Sequence, residues 1–437
     1  MTFNIAIVGA GIAGLGAAIA LSRDGHTVTV YERRATSKEE SGSGIQIQPS
    51  GVKILQKWGL LDDLGKIAHE SGQLELIRYA DGNVIATQQR KGARSQWYCL
   101  RTELRKFLLE AAISAGASVQ FDAPVQSVNL EAPSITLANG STISADIIVG
   151  ADGTNSVVRK AIFPGSERRV TNDYAFQASI PRDAMLADED TREIYHMLAA
   201  RPWLGPSSWA LTSTAPHQEV YDIQFLLWDR AVDRDPHPDK LIEPLEDLAM
   251  IEDVFEGWSP LFVKMLSKSV KFLKWRLVEV PPPPTSLAPG GKVIFIGDAC
   301  HGMDPNAGFG AALALEDAAT LAAVLRKASV SADIPRYLSI CDKIVRERSS
   351  AVRPYSAYMG RFFTVPDGPM QQKRDQGMKK FDPNRVVGVK ASKLARYNTP
   401  EWVSYLDDYS PDEAVDEILR QDADGKAQVK QVVSSKL

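Results

Sequence analysis

The sequence predicts an α/β protein: a parallel-sheet domain, an antiparallel sheet inserted into it, and a helical C-terminal region. Three observations carry that expectation. Residues 3–32, FNIAIVGAGIAGLGAAIALSRDGHTVTVYE, read as strand, glycine turn, helix and strand. From about residue 167 to 275 the pattern changes to short apolar runs separated by prolines and loops, the mark of antiparallel strands. After four consecutive prolines, 281–284, the run KVIFIGDAC returns to a buried strand that ends on a glycine and an acid. The division that follows is 1–166 and 281–360 for the first domain, 167–280 for the inserted sheet and 361–437 for a C-terminal helical extension.

In chain order, the strand at 3–8 stops at Gly9, and Gly9, Gly11 and Gly14 open a helix. Gly9 permits the tight turn, Gly11 lets backbone approach a pyrophosphate, and Gly14 lets the helix pack on the strand. The phosphates belong on the helix N-terminus. The next strand, Thr27–Tyr31, ends on Glu32, placed to accept from a ribose hydroxyl. This makes the unit Rossmann-like. A charged loop at 33–40 precedes Gly42 and Gly44, which either serve an ordinary turn or let backbone approach a ligand. Residues 52–64 read as a helix, and Asp81-Gly82 as the turn of a hairpin between 74–79 and 84–87.

Residues 98–112 read as a helix entered through Thr102, with Leu104, Leu108 and Ala111 as its buried stripe and Arg101 at its entrance, either solvated or holding a phosphate or ribose oxygen. Strands are expected at 115–122 and 124–130, and a hairpin turn at Asn139-Gly140 leads to a strand that ends at Gly150, with Asp152-Gly153 before a helix. Middle strands are expected at 174–180, 193–198, 208–214 and 220–228. Trp203, Trp209, Trp228, Trp258 and Trp275 fall in or beside this stretch and suit either an apolar pocket or ordinary core. In the return segment, Asp298 stands at a strand end, and Gly308 and Gly310 leave amides free at the N-terminus of a helix from about Ala311.

The chain has 437 residues, 44% of them apolar, enough for two domains. Fifty basic and 54 acidic side chains, a net charge of −4, offer no case for nucleic acid or an anionic membrane surface. Three cysteines without metal-ligand spacing argue against a disulfide framework or a metal site and for a reducing compartment. No 18-residue apolar stretch occurs, so membrane insertion is not expected and a cytoplasmic enzyme is.

With these pieces placed, the chain resembles the single-component FAD-dependent aromatic hydroxylases related to salicylate hydroxylase and 4-hydroxybenzoate hydroxylase. The motifs are GAGIAG with Glu32, GADGTNSVVR around Asp152, and GDACHGMDPNAGFG followed by Glu316-Asp317. GSGIQIQPSG and LRTEL are similar to that family's flavin-contacting loop and ribose-contacting arginine, and WLGP and EWVSYLDDY are similar to its salicylate branch. The resemblance implies non-covalent FAD held by Gly9, Gly11, Gly14, Glu32, Arg33, Gly44, Arg101, Val125, Asp152, Asp298, Gly308, Gly310 and Ala311. NADPH or NADH is implied as a transient co-substrate, because only one GxGxxG lies in a βαβ context. The reaction implied is hydroxylation of a phenolic, aryl-acid or larger aromatic substrate with O2 through a flavin C4a-hydroperoxide.

Pro305 is implied as a wall of the active site. A phenol reacts faster as phenolate, so Tyr195, His196 and Tyr221 are candidate bases, each with packed core as its alternative. His301 is either catalytic or a structural hydrogen-bond partner. Arg192 or Arg201 would have to meet a substrate carboxylate. The sequence departs from the family where Gln177 stands in place of a frequent arginine, and at Gly302 and Asp304. Epoxidation or rearrangement of an indole or polyketide, a flavin oxidase or reductase, and a flavin-free binding protein remain open, as do a monomer and a homodimer.

Overall fold

The computed structural model describes residues 1–35, 42–90, 92–228, 235, 237, 240–382, 384, 393 and 395–434. Most of the charged loop, 36–40, lies outside them. Among the described residues the parallel sheet has the order Val293–Phe295, Ile147–Gly150, Asn4–Val8, Thr27–Tyr31 and Ser118–Gln120. Its central strands are buried along nearly their whole length, as parallel strands covered on both faces must be. The helix Ile12–Arg23 packs against the helix Gly310–Leu325. Gly16 makes that approach possible, since a β-carbon there would stand 3.2 Å from the Ala318 methyl.

An eight-stranded sheet runs Ile242–Leu245, Lys271–Glu279, Arg169–Pro181, Val220–Leu227, Ser208–Ala215, Ala199–Gly205, Gln73–Arg78, Val84–Gln89. Its last two strands come from the stretch expected to belong wholly to the first domain: the Asp81-Gly82 hairpin forms, but it extends the inserted sheet. One face of this sheet is covered by the helices Arg182–Leu186, Glu189–His196 and Pro260–Ser267, with Phe176, Tyr221, Phe225 and Trp203 packed beneath them. The other face looks toward the parallel-sheet domain.

Three sequence expectations need correction. The helix at 52–64 is two, Pro49–Lys57 and Leu61–Leu64, because Gly59 adopts a φ of +64° between them. Residues 98–112 are not one helix. Gln96–Leu100 is a strand pairing with Gly44–Ile47 and His69–Ser71, and the helix Arg101–Ser114 starts at Arg101 itself, whose N–H donates to the Ser43 carbonyl at 2.8 Å. Residues 193–198 are not a strand either. The Asp188 carboxylate accepts from the Asp190 N–H and caps the helix Glu189–His196, which buries Thr191, Ile194 and Tyr195 at helical spacing.

Of the C-terminal helices, Pro400–Asp407 and Pro411–Ser434 pack on the first domain, whereas Pro369–Lys380 packs on the strand Val84–Gln89 of the inserted sheet. Arg348, on the long helix Ile334–Phe363, makes a two-pronged pair with Glu316 and donates to the carbonyls of Tyr405 and Leu406. The EWVSYLDDY segment is thereby fastened to the helix Gly310–Leu325.

Candidate functional site

At the carboxyl ends of the parallel strands the chain builds a row of backbone donors. Gly9 has a φ of +101°, and a β-carbon on Gly14 would lie 2.0 Å from the Gly9 carbonyl, so both glycines are required by the turn itself. Gly11 differs: a β-carbon there would meet only the Ala151 carbonyl, at 3.9 Å, so open space stands beside it. The helix it precedes has no side-chain cap and no acid in its first turn. The helix Gly310–Leu325 likewise starts without cap or acid, and Gly310 faces open space. Two helix N-termini thus keep unpaired N–H groups, which suit a pyrophosphate and an electron-rich ring edge.

The acids around this row divide by role. Glu32 is buried at the strand end; one oxygen accepts from the Ala10 N–H at 2.8 Å and the other from the Arg34 N–H at 2.9 Å. Asp298 is exposed, and its carboxylate has no hydrogen-bond partner among the described residues, so it can meet a ligand hydroxyl. Asp152 is already engaged. Its oxygens accept from the Ser156 hydroxyl and the Val157 N–H, capping the helix Val157–Ile162. Burial raises its carboxyl above the ordinary value, with those bonds opposing the shift. Arg159, 1% exposed, donates to the carbonyls of Thr154, Ser166 and Ala299, and so ties this turn to the helix Asp298–His301.

His301 takes the structural role: its Nε2 lies 2.7 Å from the Asp317 carboxylate, which also accepts from the Gly297 N–H. Burial alone would lower the imidazole, but the Asp317 charge and hydrogen bond more than offset it and hold the ring above its ordinary value.

Of the other expected cofactor residues, Arg33 is exposed beside Glu32, and Val125 opens the strand Val125–Asn129 half-buried. The Arg101 guanidinium lies over the Trp275 ring at 5.9 Å. Arg105, one turn along the same helix face, was not singled out in the sequence, yet its Nε donates to the Ala10 carbonyl at 2.8 Å and its Nη2 lies 3.9 Å from Glu32. Its i+4 spacing from Arg101 was the available signal. Gly308 has a φ of +65° and sits against the side-chain amides of Gln46 and Gln48; contrary to expectation its amide is not free, since its N–H donates to the Pro305 carbonyl within the turn. Gln48 reaches the Ala307 carbonyl, joining the two loops. Pro305 stands exposed at the tip.

Gly44 is required by a protein neighbour. A β-carbon there would fall 1.7 Å from the Tyr98 hydroxyl and 2.5 Å from the Asp222 carboxylate. Asp222 is fully buried and accepts from the Tyr98 hydroxyl (2.7 Å), the Gly44 N–H (3.2 Å), and the amides of Gln177 (2.7 Å) and Gln224 (2.8 Å). Burial raises its carboxyl above the ordinary value, and the hydrogen bonds offset that only in part. Farther along the same sheet face, the Trp209 indole donates to Asn306, and Asp304 accepts from Ser356 and Asn306. The inward sheet face is therefore pinned to both loops.

The expected bases are not brought to this face. Tyr221 adjoins Asp222 in sequence, and a one-residue step in a strand reverses the direction of a side chain. Its hydroxyl donates to Thr212 under the covering helices. Tyr195 packs in the same outer cluster, and His196 is exposed at the end of its helix. Arg201 also points outward, 3.2 Å from Glu75, and Arg192 donates to the Leu186 carbonyl on the surface. Neither arginine lines the inward face. Trp203 and Trp258 pack outward as core, whereas Trp209 and Trp228 stand on the inward side. Among the described residues, no cluster of His, Cys, Asp and Glu could hold a metal ion, and no helix is long and apolar enough to cross a membrane.

Comparison with known proteins agrees with this geometry. Residues 2–236 and 285–347 match the family described as FAD binding domain. The chain is 28% identical to the FAD-dependent monooxygenase OpS4 of Beauveria bassiana over 86% of its length and 88% of the relative. It is 30% identical to the 3-amino-4-hydroxybenzoate 2-monooxygenase PtmB3 of Streptomyces platensis, covering 86% and 92%. Its fold matches a salicylate hydroxylase substrate complex with a TM-score of 0.75 at 21% identity, covering 95% of this chain and 97% of the other.

Proposed function

Because the chain belongs to the FAD-binding-domain family, among the single-component FAD-dependent aromatic hydroxylases, we propose that it hydroxylates an uncharged phenolic or amino-substituted aromatic ring. One observation carries the choice of an uncharged ring. Between its two anchor points, Asp222 at Gly44 and Trp209 at Asn306, the inward sheet face presents Ala175, Gln177, Leu211, Gln224 and Leu226, none of them a cation, and the Arg101 guanidinium beside it is taken up by the Trp275 ring opposite Ala175 and by the cofactor in this reading. The Streptomyces platensis relative acts by its name on a benzoate; a carboxylate on this face would lie beside Asp222 with none of these five side chains to pair its charge.

In this reading the Gly9–Gly14 turn and its helix N-terminus hold the pyrophosphate, and Glu32 and Arg101 the adenosine side. Asp298 holds the ribityl chain, and the free first-turn amides at Gly310 and Ala311 hold the ring edge. When bound, FAD would supply hydride acceptance from NADPH or NADH and insertion of one atom of O2 into the ring, the other leaving as water. The sheet roofs the site and excludes water, and the Asp304–Ser356 and Asn306–Trp209 bonds keep the Pro305 loop in position. Three buried, unpaired cysteines suit a reducing compartment.

The test is a panel of phenols, anilines and aryl acids given to the FAD-loaded protein, reading NADPH and NADH oxidation with product mass under 18O2. The expected result is stimulation by neutral rings and one labelled oxygen in the product. Stimulation by aryl acids alone would refute the uncharged substrate, and unlabelled product would refute oxygen insertion.

A further inference from the structure

Gln177 and Gln224 face each other across neighbouring strands, and both amides are oriented by the same carboxylate. Gln177 Nε2 donates to the Gly42 carbonyl and to Asp222 Oδ1, each at 2.7 Å. Gln224 Nε2 donates to the Gly44 carbonyl and to Asp222 Oδ2, each at 2.8 Å. An amide nitrogen has two hydrogens, so both side chains have used their donors. Each nitrogen lies against two acceptors, and a flipped amide would set oxygen against oxygen, which fixes the orientation. What remains on each side chain is the carbonyl oxygen.

Neither Oε1 meets a donor among the described residues and neither is fully buried, so each keeps a small accessible area, although Gln177 as a whole is only 7% exposed. Directly opposed residues in an antiparallel pair have β-carbons about 5 Å apart. Asp222 and Leu226 are four residues apart on one strand, about 13 Å at the usual rise, so the stretch between the anchors is long enough for a fused ring.

Resting on the monooxygenase reading, we propose that Gln177 and Gln224 determine substrate specificity. Their side-chain carbonyls form a paired acceptor for ring O–H or N–H groups, so the substrate class is neutral aromatics that carry a hydrogen-bond donor. Asp222 is a positioning residue: it turns both amides so that acceptors face the ring, and it fastens the Gly42–Gly44 loop to the same two side chains.

The probes are 2-naphthol against 2-methoxynaphthalene, indole against 1-methylindole, and 2-naphthoate, each titrated into the FAD-loaded protein without NADPH. Binding is read by equilibrium dialysis and by the change in flavin absorbance. The expected result is that each donor-bearing probe binds at least about tenfold more tightly than its methylated partner, with 2-naphthoate weakest. Gln224→Lys keeps donors toward Gly44 and Asp222 but removes the acceptor. It should retain FAD, lose the preference for naphthol and gain naphthoate binding. Gln224→Leu provides a second variant and should lose the preference without gaining naphthoate.

Equal binding of naphthol and its ether to the wild type, no binding of either donor probe, or an unchanged preference in both variants would overturn the proposal. So would variants whose main loss is FAD affinity, since the oxygens would then serve the cofactor. These titrations involve no turnover, so a failure of oxygen insertion would show only in the 18O experiment.

Discussion

Arg159 and Asp298 stand at adjoining turns, yet the structure gives them opposite functions. Arg159 is sealed in and satisfies three carbonyls, whereas the Asp298 carboxylate is exposed and bonds to none of the described residues. Arg159→Ala should lower stability by at least about 3 kcal/mol, because bonds from a charged donor are worth ~1.5–3 kcal/mol each and the carbonyls are left unpaired. Asp298→Ala should leave the melting temperature of the apoprotein unchanged and weaken FAD binding. Thermal melts and flavin titrations of both variants check this. His301 supplies a pH test. Its folded pKa is raised, so its contribution is complete below the unfolded value of ~6.5 and is lost as pH rises through the folded value. The melting-temperature gap between wild type and His301→Gln should therefore be largest at acidic pH and shrink on moving to alkaline buffer.

At the scale of elements, the glycine turn separates packing from ligand contact. Gly14→Ala drives a β-carbon into the Gly9 carbonyl and should cost about 3 kcal/mol or prevent folding. Gly11→Ala meets no such obstacle and should cost the apoprotein no more than about 1 kcal/mol, while FAD affinity falls at least about tenfold because the methyl fills the phosphate's space. Melts without flavin and fluorescence titrations with it distinguish the two. The elements themselves were legible where local rules acted alone: the βαβ unit, the Asp81-Gly82 hairpin and the strand before Asp298; the Asn139-Gly140 turn forms too, but it joins Ser134–Leu137 to Thr142–Ser144, and Ile147–Gly150 follows in the parallel sheet. They were misread where a competing rule won. At 193–198 the Asp188 cap overrode an apolar alternation, and at 98–100 pairing with Gly44–Ile47 drew residues of an apparent helix into a sheet.

For the whole molecule, a buried ion pair, Arg348 with Glu316, helps to hold the C-terminal segment in place. Arg348→Met leaves Glu316 buried without its partner and should cost about 3–5 kcal/mol, with faster proteolysis of the segment around Tyr405. Adding Glu316→Gln to that variant should recover part of the loss, because the stranded charge is then gone. Flavin attachment is a property of the assembled site. Cys99, Cys300 and Cys341 are buried, and His301 is held by Asp317, so acid precipitation should leave the flavin in the supernatant, as its absorbance there would report.

By itself the sequence determined the dinucleotide turn, the acids at two strand ends and the uncapped helix at Gly310, because each depends on residues within a few positions of one another. Only the tertiary structure decided which middle-sheet side chains turn toward the Gly42–Gly44 and Asp304–Gly308 loops. Strand alternation gives two faces but not which one turns inward, and that depends on Asp222 and Trp209 reaching loops that lie 178 and 97 residues away. Tyr221 was therefore a reasonable candidate in sequence, and its neighbour Asp222 is the residue that the fold turns toward the site.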